Sequence, residues 1–193
     1  MGDDVEGLAA RDGRLYGLSS AGYLRVWERR GAGFALVEGP YPIGHGDMVC
    51  DARDTNCAKN YEGLCLAAHP TGACVGFAAA KADGRLYCLV ETAGHLAVNP
   101  ASSIAISPAG ALADCAFDDT DRLWVGSNIF ELNAVSRVDG WRTPATAKVT
   151  PIGAIGVGFS EVIAVRGEFL YRMSDTGGAP SGMAKFRCTA DER

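Results

Sequence analysis

An all-β chain built from repeated four-stranded antiparallel units is predicted by three features of the sequence. A short phrase recurs as Gly13-Arg14-Leu15-Tyr16, Gly84-Arg85-Leu86-Tyr87, Asp121-Arg122-Leu123-Trp124 and, more loosely, Gly167-Glu168-Phe169-Leu170-Tyr171. Repetition at this scale means that one supersecondary unit is copied several times. Apolar residues around the phrase alternate with a period of two, and no stretch of ten or more residues carries helical apolar spacing. Most of the 25 glycines fall between the apolar runs, where chain reversals belong. Successive four-stranded meanders are the mark of a β-propeller, so residues 1–193 are expected to form a single propeller domain of four to five blades.

The first copy is expected to run through strands Val5 to Ala10, Leu15 to Leu18, Tyr23 to Trp27 and Gly33 to Glu38. Its Asp12-Gly13 pair favours a tight reversal, and Ser19-Ser20-Ala21-Gly22 is a turn cluster. A second copy takes Val75 to Ala80, Leu86 to Val90, Gly94 to Val98 and Ser103 to Ser107. The third takes Leu112 to Phe117, Arg122 to Gly126, Phe130 to Val135 and Ala147 to Ile152. The fourth has Phe159 to Val165, Glu168 to Met173 and Met183 to Cys188, and lacks an outer strand. An open sheet edge invites pairing, so closure by the other terminus or by a partner chain is expected.

On this register Tyr16, Tyr87, Trp124 and Tyr171 are equivalent. Leu15, Leu18, Leu24, Val26, Leu86, Leu89, Leu96, Leu123, Val125, Leu132, Ile163 and Leu170 are expected to be buried between blades, as alternating apolar positions of stacked sheets must be. The region 41–74 breaks the repeat. Tyr41 to Lys59 reads as a polar insertion stapled by Cys50 and Cys57, and a degenerate fifth blade over Ile43 to Cys74 is the other way to count it.

With 193 residues, 48% of them hydrophobic and 21% charged, the chain can bury a real core. Its 18 basic and 23 acidic residues give a net charge of -5, which offers no basic footprint for nucleic acid or an anionic membrane. No apolar run approaches the ~20 residues of a membrane helix. Met1-Gly2-Asp3-Asp4 has neither the basic nor the apolar part of a signal peptide, so the protein is expected either to be intracellular or to have lost a leader.

Seven cysteines favour the second alternative, a secreted protein or one in another oxidising compartment. Cys50 with Cys57 and Cys65 with Cys74 each bracket a turn and are expected to form local disulfides. Cys88 and Cys115 lie in apolar strands as core residues or as one further bridge, and Cys188 is left over. A zinc site is disfavoured, because no paired C-x-x-C is present and the chain has only 3 histidines.

Function is best signalled by acids. Glu6 lies ten residues before Tyr16, Asp114 ten before Trp124, and Glu161 ten before Tyr171. The first strand of each propeller blade lines the central channel, so these carboxylates are expected to converge, with Glu62 as a fourth candidate from the irregular region. Converging carboxylates repel unless a cation sits among them or some are protonated. All-oxygen donors suit calcium or a similar hard ion. The competing account is that the acids cap strand ends.

Of the other candidates, His45, His69 and His95 show no spacing tied to an acid and read as solvated loop residues. Trp124 reads as packing core, and Trp141, in Asp139-Gly140-Trp141-Arg142, as an exposed contact. No Gly-x-Ser-x-Gly elbow, phosphate loop or dinucleotide fingerprint is present.

Asp4-Val5-Glu6-Gly7-Leu8-Ala9, Asn60-Tyr61-Glu62-Gly63-Leu64 and Asp121-Arg122-Leu123-Trp124-Val125-Gly126-Ser127 resemble the blade openings and central strands of the gluconolactonase-like superfamily, whose propellers have six blades. That resemblance implies a channel metal held by an acid in a Glu-Gly-Leu-like phrase. Glu6 and Glu62 match it, whereas Glu161 is followed by Val162. Such propellers use longer chains than this one. Two functions follow: a non-catalytic recognition or assembly module with a protein partner and a structural divalent cation, or a metal-dependent hydrolase of lactones or related esters. The absence of an enzyme constellation favours the module.

Overall fold

The structure, a computed structural model, describes residues 4–51, 53–106, 111–128, 133–156 and 158–188. They form four antiparallel sheets set as the blades of a propeller. Blade 1 holds β1 (Val5–Arg11), β2 (Arg14–Ser19), β3 (Tyr23–Arg30) and β4 (Gly33–Pro42). Blade 2 holds β5 (Tyr61–Leu66), β6 (Gly76–Ala80), β7 (Arg85–Thr92) and β8 (His95–Ala105). Blade 3 holds β9 (Leu112–Phe117), β10 (Leu123–Ser127), β11 (Ala134–Asp139) and β12 (Lys148–Ala154). Blade 4 has three strands, β13 (Ser160–Arg166), β14 (Phe169–Ser174) and β15 (Met183–Arg187).

The hairpins follow their turn chemistry. Asp12 and Gly13 both have positive φ, 52° and 74°, as a two-residue reversal matched to the strand twist requires. Ala93 and Gly94 repeat this at the β7–β8 turn, with φ of 52° and 83°.

Blade 2 departs from the expected register. Its inner strand is Tyr61–Leu66, so Gly76–Ala80 is the second strand and Arg85–Thr92 the third. The two segments expected at 94–98 and 103–107 belong to one strand that ends at Ala105. A long connection from Ala67 to Val75 separates β5 from β6, which moves the Gly84-Arg85-Leu86-Tyr87 phrase one hairpin later than its counterparts. Tyr87 is therefore not equivalent to Tyr16, Trp124 and Tyr171. Phe77 is, because it lies opposite Cys65 as Tyr16 lies opposite Ala9, Trp124 opposite Ala116 and Tyr171 opposite Ala164. Residues 43–60 form the connection into blade 2, with one 3₁₀ turn at Gly46–Met48, and are not a fifth blade. In blade 3 the third strand is Ala134–Asp139, and its expected start at residue 130 lies outside the described residues.

Three apolar layers lie between successive blades. Ten of the twelve positions expected in them are buried; Leu15 is half-buried and Leu132 lies outside the described residues. Trp124 is fully buried, as expected. Trp141 is too, contrary to its reading as a surface contact. Its ring meets Phe77 and Phe117 edge-on, Arg142 covers it at 4.2 Å, and its Nε1 donates to the Asp121 carbonyl at 2.7 Å.

Cys50 and Cys57 form the expected bridge. Cys65 pairs with Cys115, and Cys74 with Cys88, so the local Cys65–Cys74 pairing is corrected. The reason is the β5–β6 register. Cys65 lies opposite Phe77 and faces blade 3, where the Cys115 Cα is 5.6 Å away. Cys188 takes part in none of these three bridges. Among the described residues, no helix is long and apolar enough to cross a membrane.

Candidate cation site at the channel mouth

Each of the four inner strands carries one unpaired residue near its start. Between Val5 and Gly7 the partner strand advances by a single residue, and the same slip occurs between Tyr61 and Gly63, between Leu112 and Asp114, and between Ser160 and Val162. These are β-bulges, which bend the strand and re-aim the extra side chain. The extra residues are Glu6, Glu62, Ala113 and Glu161. All four line one cavity of ≈ 190 Å³, together with blade 4 residues that include Met173 and Ser174.

The three glutamates converge, with carboxylate oxygens that all lie within 4.8 Å of one another. Glu62 is buried, Glu161 half-buried and Glu6 exposed at the rim. Lys81, just past the end of β6, brings Nζ to 3.1 Å from Glu62 and 3.9 Å from Glu161. Asn128 Nδ2 donates to Glu161 Oε1 at 3.1 Å. One ammonium thus pairs with two of the three glutamates, while Asp4 adds a further carboxyl beside Glu6. Desolvation, followed by the charge of Glu62, pushes the Glu6 carboxyl up to about 7. Desolvation raises Glu62 as well, against the pull of Lys81.

Asp114 stands apart from this cluster. It lies one residue past the bulge, where blades 1 and 2 have Gly7 and Gly63. Its carboxylate accepts from the amide of Cys115 at 2.8 Å and from the amide of Ile163 at 3.0 Å, tying β9 to β13. Burial holds it up to about 7, while those two amides and Arg172 pull it down. Arg172 is fully buried beside it and donates from Nη2 to the Ser160 carbonyl at 2.9 Å. The ten-residue spacing misassigns Asp114 because the β9–β10 hairpin is one residue longer than those of blades 1 and 4. Ala113, not Asp114, is the counterpart of Glu6 and Glu161.

The histidines lie away from the channel. His45 is exposed in the connection between blades 1 and 2, and His69 is exposed with Nδ1 3.5 Å from Asp121. His95 sits in the β7–β8 turn, 3.1 Å from Glu38 and edge-on to Tyr41. Among the described residues, no histidine lines the cavity that the glutamates share. Sequence reasoning missed Lys81, Ala113 and Asn128. Lys81 closes the run Ala78-Ala79-Ala80, whose spacing carries no charge signal, and Ala113 shows only when the bulges are aligned.

No protein-family model matches the chain, and no curated protein matches it. Among solved structures it is similar to a candidate 6-phosphogluconolactonase from Bacteroides uniformis, with a TM-score of 0.53 and 8% identity, over 95% of this chain and 55% of that one. It is also similar to the WD40 β-propeller domain of Doa1, with a TM-score of 0.45 and 14% identity, over 89% of this chain and 62% of that one. The chain thus spans little more than half the length of these propellers. At such identities the first likeness shows the propeller fold alone.

Proposed function

We propose that the chain is a non-catalytic propeller module for recognition and assembly, whose channel mouth holds a hard divalent cation, calcium by preference, between Glu6, Glu62 and Glu161. The observation that carries this reading is the placement of three glutamates at the same bulge of three separate blades, within 4.8 Å of one another. Strand capping does not require that convergence. The donor set fits a hard ion, since every contributed atom is a carboxylate oxygen. Lys81 offsets part of the charge, and Glu6 is raised first by desolvation and then by the neighbouring carboxylates, whose repulsion a divalent cation would relieve.

Because Lys81 competes for two of the carboxylates, the site is expected to be weak. A dissociation constant of about 10⁻⁴–10⁻³ M, the range of extracellular calcium modules, is the expectation. The three disulfides suit such an oxidising compartment. The lactone or ester hydrolase reading is less favoured. Among the described residues, no histidine lines the ≈ 190 Å³ cavity over the carboxylates or the ≈ 460 Å³ cavity that Glu6 shares with Asp114 along the channel, so no imidazole stands there as a general base.

Thermal unfolding in calcium and in chelator tests the proposal. Calcium at about 10 mM should raise the melting temperature by about 3–10 °C, and the Glu6→Gln/Glu161→Gln double variant should lose that rise. An equal loss of stability in both conditions would leave the acids as strand caps.

A further inference from the structure

Past the glutamates the channel continues as a second, larger space. The mouth cavity shares Glu6, Val162 and Met173 with a cavity of ≈ 460 Å³ that runs between the inner strands of all four blades. That volume falls within the roughly 300–1,000 Å³ of small-molecule sites. At the positions opposite Tyr16, Trp124 and Tyr171, the residues Ala9, Ala116 and Ala164 supply short side chains, which keep the space open.

The side of this space between blades 1 and 4 is apolar. In blades 2, 3 and 4 the residue two positions past the bulge packs against the preceding blade, and Leu64, Cys115 and Ile163 are 1%, 3% and 3% exposed. By the same positional rule blade 1 presents Leu8, which is 61% exposed and lines the cavity. Met173 of blade 4 lines it too, 38% exposed, and half-buried Val162 joins them. Exposed apolar side chains gathered at a concave surface mark a binding site. The end of this wall is acidic. Glu6 belongs to both cavities, and its carboxylate meets those of Glu62 and Glu161 within 4.8 Å. Lys81 pairs with Glu62 and Glu161, so three carboxylates stand with one ammonium and the mouth is complementary to further positive charge.

We propose that the channel binds a small organic cation, a primary ammonium carrying an apolar tail, with the ammonium among Glu6, Glu62 and Glu161 and the tail against Leu8, Val162 and Met173. Charge selects the head. An ammonium offers three donors and no acceptor, which suits acceptor-only carboxylates, whereas an anionic head would be repelled. Burial selects the tail, because a bare ammonium leaves Leu8 and Met173 in water and an alkyl chain removes them from it. The inner strands also turn their free backbone edges to the channel, so the tail lies along the blade 1 and blade 4 side and water stays on those edges. This inference does not rest on the calcium reading: ammonium and calcium are alternative occupants of the same carboxylates.

Calorimetric titration of the full 193-residue chain with n-hexylamine, in chelator at about pH 7 where an alkylamine is protonated, tests it. Hexylamine should bind at one site, about tenfold or more tighter than methylamine, which lacks the tail, and than n-hexanol or hexanoate, which lack the positive head. Glu6→Gln/Glu161→Gln should abolish the preference for hexylamine over hexanol. Leu8→Gln/Met173→Gln should bring hexylamine down to the level of methylamine. Both of the latter side chains are exposed, so that variant should keep the wild-type far-ultraviolet circular dichroism. No binding of hexylamine by the wild type, equal binding of hexanol or hexanoate, or binding indifferent to either double variant would overturn the proposal. A wild type that binds calcium but not hexylamine would overturn this inference alone, and one that binds hexylamine but not calcium would support it while overturning the calcium reading.

Discussion

Leu8 and Leu64 hold the same place in neighbouring blades, two residues past the bulge of the inner strand, yet Leu64 is 1% exposed and Leu8 61%. The difference lies in what stands beside them. Leu64 packs in the layer between blades 1 and 2, whereas Leu8, among the described residues, lies outside that layer and lines an open cavity with Val162 and Met173. Leu64→Ala should cost about 2–5 kcal/mol in denaturant unfolding. Leu8→Ala should stay within about 0.5 kcal/mol of wild type. Equal costs would show that the positional rule does not describe the packing.

Gly63 illustrates how closely the inner strands approach. A Cβ added there would lie 2.7 Å from Asp114 Oδ1 and 2.8 Å from the Asp114 Cα, both too close to be accommodated without a shift. Its φ is ordinary, so the constraint is space alone. Gly63→Ala should destabilise the protein by about 1–3 kcal/mol by pushing β5 away from β9. Gly33, with nothing within 4 Å, is the control, and Gly33→Ala should be nearly neutral.

The three disulfides should differ in weight. Cys65–Cys115 closes a separation of 50 residues and joins blades 2 and 3, while Cys50–Cys57 closes a separation of 7 within one connection. Chain entropy assigns about 4 kcal/mol to the first and about 2 kcal/mol to the second. Replacing each pair by alanine and comparing unfolding midpoints should reproduce that order. A larger loss for the Cys50–Cys57 pair would contradict it.

Acidity should stabilise the metal-free protein over a defined window. Glu6 and Asp114 are both raised to about 7, and Glu62 is raised as well. A carboxyl whose folded pKa exceeds its unfolded value binds its proton more tightly in the fold. Its contribution is complete below the unfolded pKa, around 4, and fades as pH rises through about 7. In chelator, the melting temperature should therefore fall between about pH 5 and pH 8. Glu6→Gln and Asp114→Asn should each flatten that fall. A rise over the same interval would show that these groups are not protonated in the fold.

Much of the architecture was legible in the sequence because period-two alternation and Asp-Gly or turn-cluster punctuation act over a few residues. Blades 1 and 4 fell almost where the phrase placed them. Blade 2 did not, because the β5–β6 connection was long enough to detach Tyr61–Leu66 from its own hairpin. Trp141 looked like a loop aromatic and is held inside by Phe77 and by the Asp121 carbonyl, partners remote in sequence. The acids were found by counting residues, and counting works only where hairpins have equal length. It placed Glu6 and Glu161 together, set Asp114 one residue off, and could not see Lys81, whose approach depends on how blade 2 stacks.

The account rests on bulge position, rather than acidity in general, as the origin of the channel-mouth site. Calorimetric titration of chelator-stripped protein with calcium chloride tests this most directly, using wild type, Glu6→Gln/Glu161→Gln, Ala113→Glu and Asp114→Asn. The account predicts calcium binding by wild type that is lost in the double glutamine variant, retained in Asp114→Asn, and tightened in Ala113→Glu, which supplies a carboxylate at the fourth bulge. Absence of binding by wild type, or binding that survives the double variant and disappears in Asp114→Asn, would contradict it.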